Sequence, residues 1–239
     1  MTRACVIGWP ISHTLSPAIH RYWLKAYGLD GEYGKAAVEP KEFEGFLMNL
    51  AANGFSGGNI TVPHKIEAHR FCERRDAAAE AIGAVNTVWL ERGRLAGSNT
   101  DAFGFLANLD SEASGWDRGG PAVVIGAGGA ARAIIWALRQ RGFEDIRIVN
   151  RTKPRAEELA APFPPASAHG LEELGPALEG ANFIVNTSTL GMNGAPPLNV
   201  DLSAAAREAT VCDIVYSPLA TDLLNEARRR GLRAVDGLG

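Results

Sequence analysis

Ala122-Val123-Val124-Ile125-Gly126-Ala127-Gly128-Gly129-Ala130-Ala131 is the stretch whose reading sets the architecture. A short apolar run enters a glycine turn and leaves as a helical pattern reaching Arg141. Gly126, Gly128 and Ala131 fit G-x-G-x-x-G/A, with alanine at the position that tolerates it. Glycines there let backbone N–H groups approach a pyrophosphate, and the helix N-terminus favours its negative charge. A turn built only for packing uses the same residues, so context decides. Here a strand precedes, a helix follows, and a second apolar run, Ile146–Val149, ends in Asn150-Arg151-Thr152. The expectation is a Rossmann-like dinucleotide-binding unit, with Gly126, Ala127, Gly128, Gly129 and Ala130 against the cofactor.

The end of that second run selects the nucleotide. A site for NAD usually carries Asp or Glu there to accept from the ribose 2′-OH, whereas an arginine suits a 2′-phosphate. This chain offers Arg151, Thr152, Lys153 and Arg155, and no acid before Glu157. Charge-assisted hydrogen bonds contribute about 1.5–3 kcal/mol each, so one good arginine–phosphate contact favours NADP roughly tenfold to a hundredfold. Asn150, Arg151, Thr152 and Arg155 are therefore the expected ribose-phosphate contacts. The alternatives are a solvated basic start to a helix and, for Asn150, a helix N-cap.

Outward from this unit, 239 residues suffice for one large or two ordinary domains. A composition 46% hydrophobic and 21% charged is that of a globular protein. A net charge of −3 gives no reason to expect a nucleic-acid or anionic-membrane partner. Cys5, Cys72 and Cys212 are far apart and odd in number, and no C-x-x-C occurs. They read as reduced thiols of a cytoplasmic protein, with no metal site expected. Pro10, His13 and Pro17 interrupt the pattern a signal peptide would need.

Strands alternating with helices imply an α/β chain. Ala4–Gly8 reads as a strand, followed by a helix capped by Ser16 with Pro17 at its first position. Tyr33–Val38 reads as strand and 40–52 as helix. Gly58–Val62 is a strand stopped at Pro63, with Lys65–Arg74 and Asp76–Ile82 as helices. Val85–Leu90 and Arg94–Ala96 form a hairpin. A polar break near Ser111–Gly120 precedes the dinucleotide unit, which continues through Phe183–Asn186, Val211–Val215, a helix over Thr221–Arg230 and a strand over Arg233–Val235. The expected domains are 1–101 for substrate and 102–239 for cofactor, with ligands in a cleft between them.

A nicotinamide cofactor performs hydride transfer itself, so the protein must add proton transfer, orientation and charge stabilisation. Four polar clusters at strand ends of the first domain are candidates: Ser12–Pro17, Asn59–Lys65, Gly83–Thr87 and Gly97–Asp101. Each has a plainer reading. Ser16 and Asp101 can be helix caps, and a lone lysine such as Lys65 is normally a solvated surface group.

Taken together, these clusters resemble the shikimate dehydrogenase family. Its S-x-S-P is Thr14–Pro17, its N-V-T-V-P-x-K is Asn59–Lys65 with Ile60 for valine, its G-A-x-N-T is Gly83–Thr87 and its G-x-N-T-D is Gly97–Asp101. Its G-A-G-G-A is Gly126–Ala130, its N-R-T is Asn150–Thr152, its N-[TA]-[ST]-x-x-G-M is Asn186–Met192 and its D-x-x-Y-x-P is Asp213–Pro218. Asp236–Gly239 matches the start of D-G-x-x-M. The resemblance implies reversible, NADPH-dependent reduction of 3-dehydroshikimate to shikimate in aromatic amino acid biosynthesis. It implies Lys65 and Asp101 as the catalytic pair, and Asn86, Thr61, Lys65 and Asp101 on the ring hydroxyls. Thr14, Ser16 and Tyr216 would bind the carboxylate, and Asn59 joins the substrate-binding set. Thr187 joins the cofactor set, and Ile214 and Gly237 would line the nicotinamide pocket.

Two departures matter. Thr14 replaces the first serine of S-x-S-P, and its methyl crowds the carboxylate pocket, which bears on shikimate against quinate. In the family the last motif continues into a substrate-contacting glutamine and two helices that return to the first domain; the resemblance implies that these continue past Gly239. The rival readings are a quinate/shikimate dehydrogenase or shikimate dehydrogenase-like paralogue and, in another class, a non-catalytic NADP-binding regulatory protein. Monomer and homodimer are both open.

Overall fold

A computed structural model describes residues 1–12 and 14–239. The chain divides into two compact units, Met1–Thr100 and Asp101–Gly239. The first contains β1 (Thr2–Gly8), α1 (Ser16–Ala26), β2 (Gly31–Ala37), α2 (Phe43–Met48), β3 (Gly57–Ile60), α3 (Lys65–Phe71), β4 (Arg74–Arg75), α4 (Ala77–Ile82), β5 (Thr87–Glu91) and β6 (Arg94–Ser98). These strands make one mixed sheet in the order β2-β1-β3-β5-β6-β4. The strand β1 runs parallel to β2 and β3, while β3–β5 and β5–β6 are antiparallel. Alternation along β1 sends Cys5 and Ile7 into a core with Phe43, Leu47, Leu50 and Ala68, and Val6 to the other face with Tyr33 and Ile11. The β5–β6 hairpin turns through Arg92 and Gly93, both at positive φ (52° and 79°), as a two-residue hairpin loop demands.

The second unit contains α5 (Asp101–Glu112), β7 (Ala122–Ile125), α6 (Gly129–Gln140), β8 (Ile146–Asn150), α7 (Lys153–Ala160), β9 (Ser167–Gly170), α8 (Leu174–Ala177), β10 (Phe183–Asn186), β11 (Thr210–Asp213), α9 (Asp222–Arg229) and β12 (Arg233–Val235). Its six strands are all parallel, in the order β12-β11-β10-β7-β8-β9. Counted within the unit that order is 6-5-4-1-2-3, the doubly wound arrangement, with its switch point between β7 and β10. Both faces are covered. Ala122 and Val124 pack under Ile134, Ile135 and Leu138 of α6, whereas Val123 and Ile125 pack under Ala177, Leu223, Leu224 and Ala227. The architecture is the α/β one expected, with a Rossmann-like second unit. Among the described residues no helix is long and apolar enough to cross a membrane.

Several local expectations are corrected. Ser16 is the first helical residue of α1, and Leu15 stands at the N-cap, where its side chain makes no capping hydrogen bond. The span 40–52 is a 3-10 turn, Pro40–Glu42, followed by α2 ending at Met48. The helix over Lys65–Arg74 stops at Phe71, because Cys72 turns extended and Arg74–Arg75 joins β6 as a parallel edge strand.

Candidate functional site

In the first unit the backbone ties three of the four polar clusters together. The Ile60 N–H donates to Asn86 O at 2.7 Å, the Val85 N–H to Lys65 O at 2.8 Å, and the Asn86 N–H to Ser98 O at 3.0 Å. The Asn99 side chain adds a bond to Ala84 O at 2.9 Å. Lys65 is the first residue of α3, delivered there by a turn in which the His64 N–H donates to Thr61 O at 3.0 Å. Thr61 lies just past β3 and Asn59 within it. Gly97 is required where it stands: a Cβ would meet Cys72 Sγ at 2.7 Å and the Val85 methyls at 2.9 Å.

The side chains are joined too. Tyr33 Oη donates to Asn59 Oδ1 at 2.6 Å, and Asn59 Nδ2 donates to Thr87 Oγ1 at 3.1 Å. Thr87 Oγ1 donates to Asn86 Oδ1 at 2.9 Å, and Asn86 Nδ2 donates to Thr100 Oγ1 at 3.0 Å. Thr14 and Ser16 form their own pair, with the Thr14 hydroxyl donating to Ser16 Oγ at 3.1 Å and the Ser16 N–H to Thr14 Oγ1 at 3.3 Å. Thr14, not Ser16, thus serves the open end of α1. His13, inside that cluster, lies outside the described residues.

His64 carries a signal the sequence does not reveal. It is 1% exposed, stacks on Phe43 with ring centroids 4.2 Å apart, and its Nε2 lies 2.8 Å from Val38 O. A carbonyl accepts only, so Nε2 holds the hydrogen and Nδ1 is a bare acceptor, with no hydrogen-bond partner among the described residues. Burial lowers the pKa of this imidazole and outweighs the Val38 carbonyl and Glu67, which raise it.

In the second unit Asp101 opens α5, where the helix dipole favours a carboxylate. The glycine turn lies at the switch point. Gly126 has φ +113°, and a Cβ there would meet Thr187 Oγ1 at 2.6 Å and Ser188 N at 3.1 Å. Thr187 closes the turn from behind, donating N–H and hydroxyl to Ile125 O, both at 2.8 Å. Gly128 is different. It is the extended N-cap of α6 (φ −109°), supplies no side-chain cap, and a Cβ on it would meet nothing within 4 Å. The first turn of α6 therefore has open space above it, with Ala127, Gly129 and Ala130 around it half-buried. That is what a phosphate approaching backbone N–H groups needs.

Beyond β8, Arg151 and Arg155 are exposed and form no ion pair among the described residues. Lys153 does: its Nζ lies 2.8 Å from Glu173 Oε2, which also accepts the Gly170 N–H at 2.6 Å. Among the described residues, the positive charge beside β8 that is left without an ion pair is therefore that of the two arginines. Asn150 is not the helix cap, a place taken by Thr152; its Nδ2 donates to Thr152 O at 2.9 Å, fixing the turn that presents Arg151. These features fit a dinucleotide with a 2′-phosphate.

The loops after β10 and β11 are held by one buried knot. Asp213 is wholly buried and accepts from Asn186 Nδ2 at 2.9 Å, the Val215 N–H at 3.0 Å and the Thr221 hydroxyl at 2.7 Å. Burial pushes its carboxyl pKa up, against the pull of those three donors. Thr221, which no motif along the chain singles out, also caps α9 through the Leu224 N–H. Ile214 and Gly237 meet next to this knot, since a Cβ on Gly237 would sit 2.5 Å from the Ile214 carbonyl. Tyr216 projects from the same loop, 36% exposed.

Two family models match the chain: shikimate dehydrogenase substrate binding domain over residues 6–88, and shikimate/quinate 5-dehydrogenase over residues 117–194. The chain is 53% identical over 241 residues to a shikimate dehydrogenase (NADP(+)) of Brucella melitensis, covering 99% of this chain and 83% of that protein. It is 54% identical over 238 residues to one from Mesorhizobium japonicum, covering 99% and 85%. Among solved structures it is similar to shikimate 5-dehydrogenase from Thermus thermophilus in complex with NADP(H) and shikimate. The TM-score there is 0.85 at 38% identity, covering 100% of this chain and 88% of that one.

Proposed function

Because the chain belongs to the shikimate dehydrogenase family, we propose that it catalyses the reversible reduction of 3-dehydroshikimate to shikimate with NADPH, Lys65 and Asp101 being its catalytic pair. It is an NADP-linked oxidoreductase acting on a CH–OH group. The observation that carries the reading is one chain with both parts: a glycine turn with open space over Gly128 beside exposed Arg151, and a polar cluster stitched around Lys65 and Asn86.

NADPH, when bound, supplies the hydride to the ketone carbon. Gly126–Ala130 would carry its pyrophosphate, and Asn150, Arg151, Thr152 and Arg155 its ribose phosphate. Thr187, Ile214 and Gly237 would shape the nicotinamide end. As hydride arrives, negative charge grows on the ketone oxygen and must be protonated. The Lys65 ammonium is the group to stabilise that charge and donate the proton, with the Asp101 carboxylate orienting it. Two carboxylate-binding hydroxyls, Thr14 and Ser16, together with Tyr216, and the polar side chains of Asn59, Thr61 and Asn86 would hold the ring. The three buried, unbridged thiols favour a reducing, cytoplasmic setting. The chemistry is compatible with a monomer or a homodimer.

The test is loss of NADPH absorbance with 3-dehydroshikimate, for the chain and for Lys65→Ala. A general acid contributes about 10²- to 10⁴-fold, so Lys65→Ala should lower kcat by that much and leave the affinity for shikimate nearly intact. A raised KM with kcat unchanged would refute the role given to Lys65. No turnover by the parent chain, extended to the full length of its relatives, would refute the activity.

A further inference from the structure

We propose that Tyr33 is a positioning residue for substrate binding: it is the terminal donor of a hydrogen-bond chain whose direction is set at the Thr100 end, and it holds the Asn59 amide in the orientation that keeps the Thr87 hydrogen on Asn86. The inference rests on the reading of Asn59 and Asn86 as substrate ligands. Each amide can be turned over, exchanging oxygen for nitrogen, and hydroxyls such as those of Thr87 and Tyr33 serve as donor or acceptor. Something irreversible has to choose.

The choice is made at the far end, by a backbone group. The Thr100 N–H donates to Asn86 Oδ1 at 3.1 Å and can do nothing else, so that side of Asn86 is oxygen. Thr87 Oγ1, 2.9 Å from the same oxygen, must therefore give its hydrogen to Asn86. Having given it, Thr87 Oγ1 only accepts, so the Asn59 atom 3.1 Å away is Nδ2. Asn59 then presents Oδ1 to Tyr33, and the 2.6 Å contact is closed by the phenol hydrogen. From Tyr33 through Asn59 and Thr87 to Asn86 each donor points the same way, an arrangement in which each bond polarises the next. Tyr33 is well placed to end it. It is 7% exposed, its ring lies flat against His20 (centroids 3.9 Å, planes 4° apart), and burial among apolar groups keeps the phenol protonated. Without that last donor, the Asn59 amide gains by turning over and accepting from Thr87, which draws the Thr87 hydrogen away from Asn86.

Tyr33→Phe keeps the ring and removes only the donor. With the reaction followed in the shikimate-oxidising direction, the KM for shikimate should rise about three- to thirtyfold. The KM for NADP and the thermal midpoint should be unchanged, and kcat should stay within about threefold. Thr87→Val cuts the same chain at its centre, so the double variant should have a shikimate KM no higher than Thr87→Val alone. A shikimate KM unchanged in Tyr33→Phe, a parallel rise for both ligands with a lowered thermal midpoint, or additive effects of the two substitutions would each overturn the proposal. An inactive parent enzyme would instead overturn the functional reading beneath it.

Discussion

Gly128→Ala should weaken NADPH binding without weakening the fold, and Gly126→Ala should do the reverse to the fold first. The two glycines stand two residues apart in one turn, yet their surroundings differ. At Gly128 the backbone is extended (φ −109°), a conformation any residue adopts, and the added methyl meets nothing within 4 Å. The folded protein therefore has no reason to resist it. The methyl would occupy the space through which a pyrophosphate reaches the N–H groups opening α6. Losing one charge-assisted bond of about 1.5–3 kcal/mol raises the Kd roughly ten- to a hundredfold. At Gly126 the φ of +113° belongs to glycine, and the methyl would collide with Thr187 Oγ1 at 2.6 Å, disturbing its bond to Ile125 O. Strain of about 1–3 kcal/mol plus one lost hydrogen bond of about 1 kcal/mol gives a destabilisation of about 2–4 kcal/mol. For a chain of this size that lowers Tm by roughly 4–16 °C. Titration of NADPH fluorescence and thermal melts of the ligand-free proteins separate the two effects. A Gly128→Ala protein that binds NADPH like the parent would refute the placement of the pyrophosphate over Gly128. A Gly126→Ala protein with an unaltered Tm would refute the steric reading of the turn.

Two further outcomes are expected. Arg151→Gln should raise the KM for NADPH about ten- to a hundredfold while leaving that for NADH nearly unchanged, because only the former carries the 2′-phosphate; equal losses with both cofactors in steady-state assays would contradict the assignment. His64 should make the fold acid-sensitive. Its folded pKa lies below the unfolded 6.5, so the unfolded chain takes up the proton first, and the stability held above about pH 6.5 is lost as the pH falls toward the folded value. The unfolding free energy from urea titrations should drop between pH 7 and 5, by up to about 1.4 kcal/mol per pH unit from this group. His64→Phe should remove that part of the slope and leave the part due to His20, which burial also holds low; identical slopes in parent and variant would rule His64 out.

What the residues announced in advance follows from how local their signals are. The strand β7, its glycine turn and α6 are contiguous, and their apolar run and glycines suffice to read them. The strands β10 and β12 emerge with the expected bounds for the same reason. By contrast β9 is Ser167-Ala168-His169-Gly170, with no apolar or β-branched run, and exists because the edge of β8 offers Arg147, Ile148, Val149 and Asn150 as partners. The two-residue β4 is likewise recruited by Ala96 and Gly97 of β6. The pattern over 40–52 predicts one helix, but the helix ends at Met48, where the Asn49 side chain donates to the Gly45 carbonyl at 2.8 Å. The relay from Tyr33 to Thr100 joins side chains from separate strands and loops, so no spacing along the chain reports it.

The same distinction separates residues within a motif. The family pattern around Asn186 and the one beginning at Asp213 supply polar residues as conspicuous as those around Arg151. In the folded unit, however, Asn186 spends its amide on Leu190 O, Asp213 and Ser188, while Asp213 already accepts from three donors. Buried polar groups so fully partnered shape loops and have little left for a ligand, and removing one strands the others at about 1–3 kcal/mol apiece. Arg151 and Arg155 are exposed with no ion pair among the described residues, while Lys153 is paired with Glu173, and the N–H groups opening α6 have no side-chain cap. A charged ligand is recognised by groups whose hydrogen-bonding capacity the fold has not already consumed. By that criterion the turn at Gly128 and Arg151 are the groups we propose for the cofactor's phosphates, whereas the Asn186–Asp213–Thr221 knot is spent on holding its own loops.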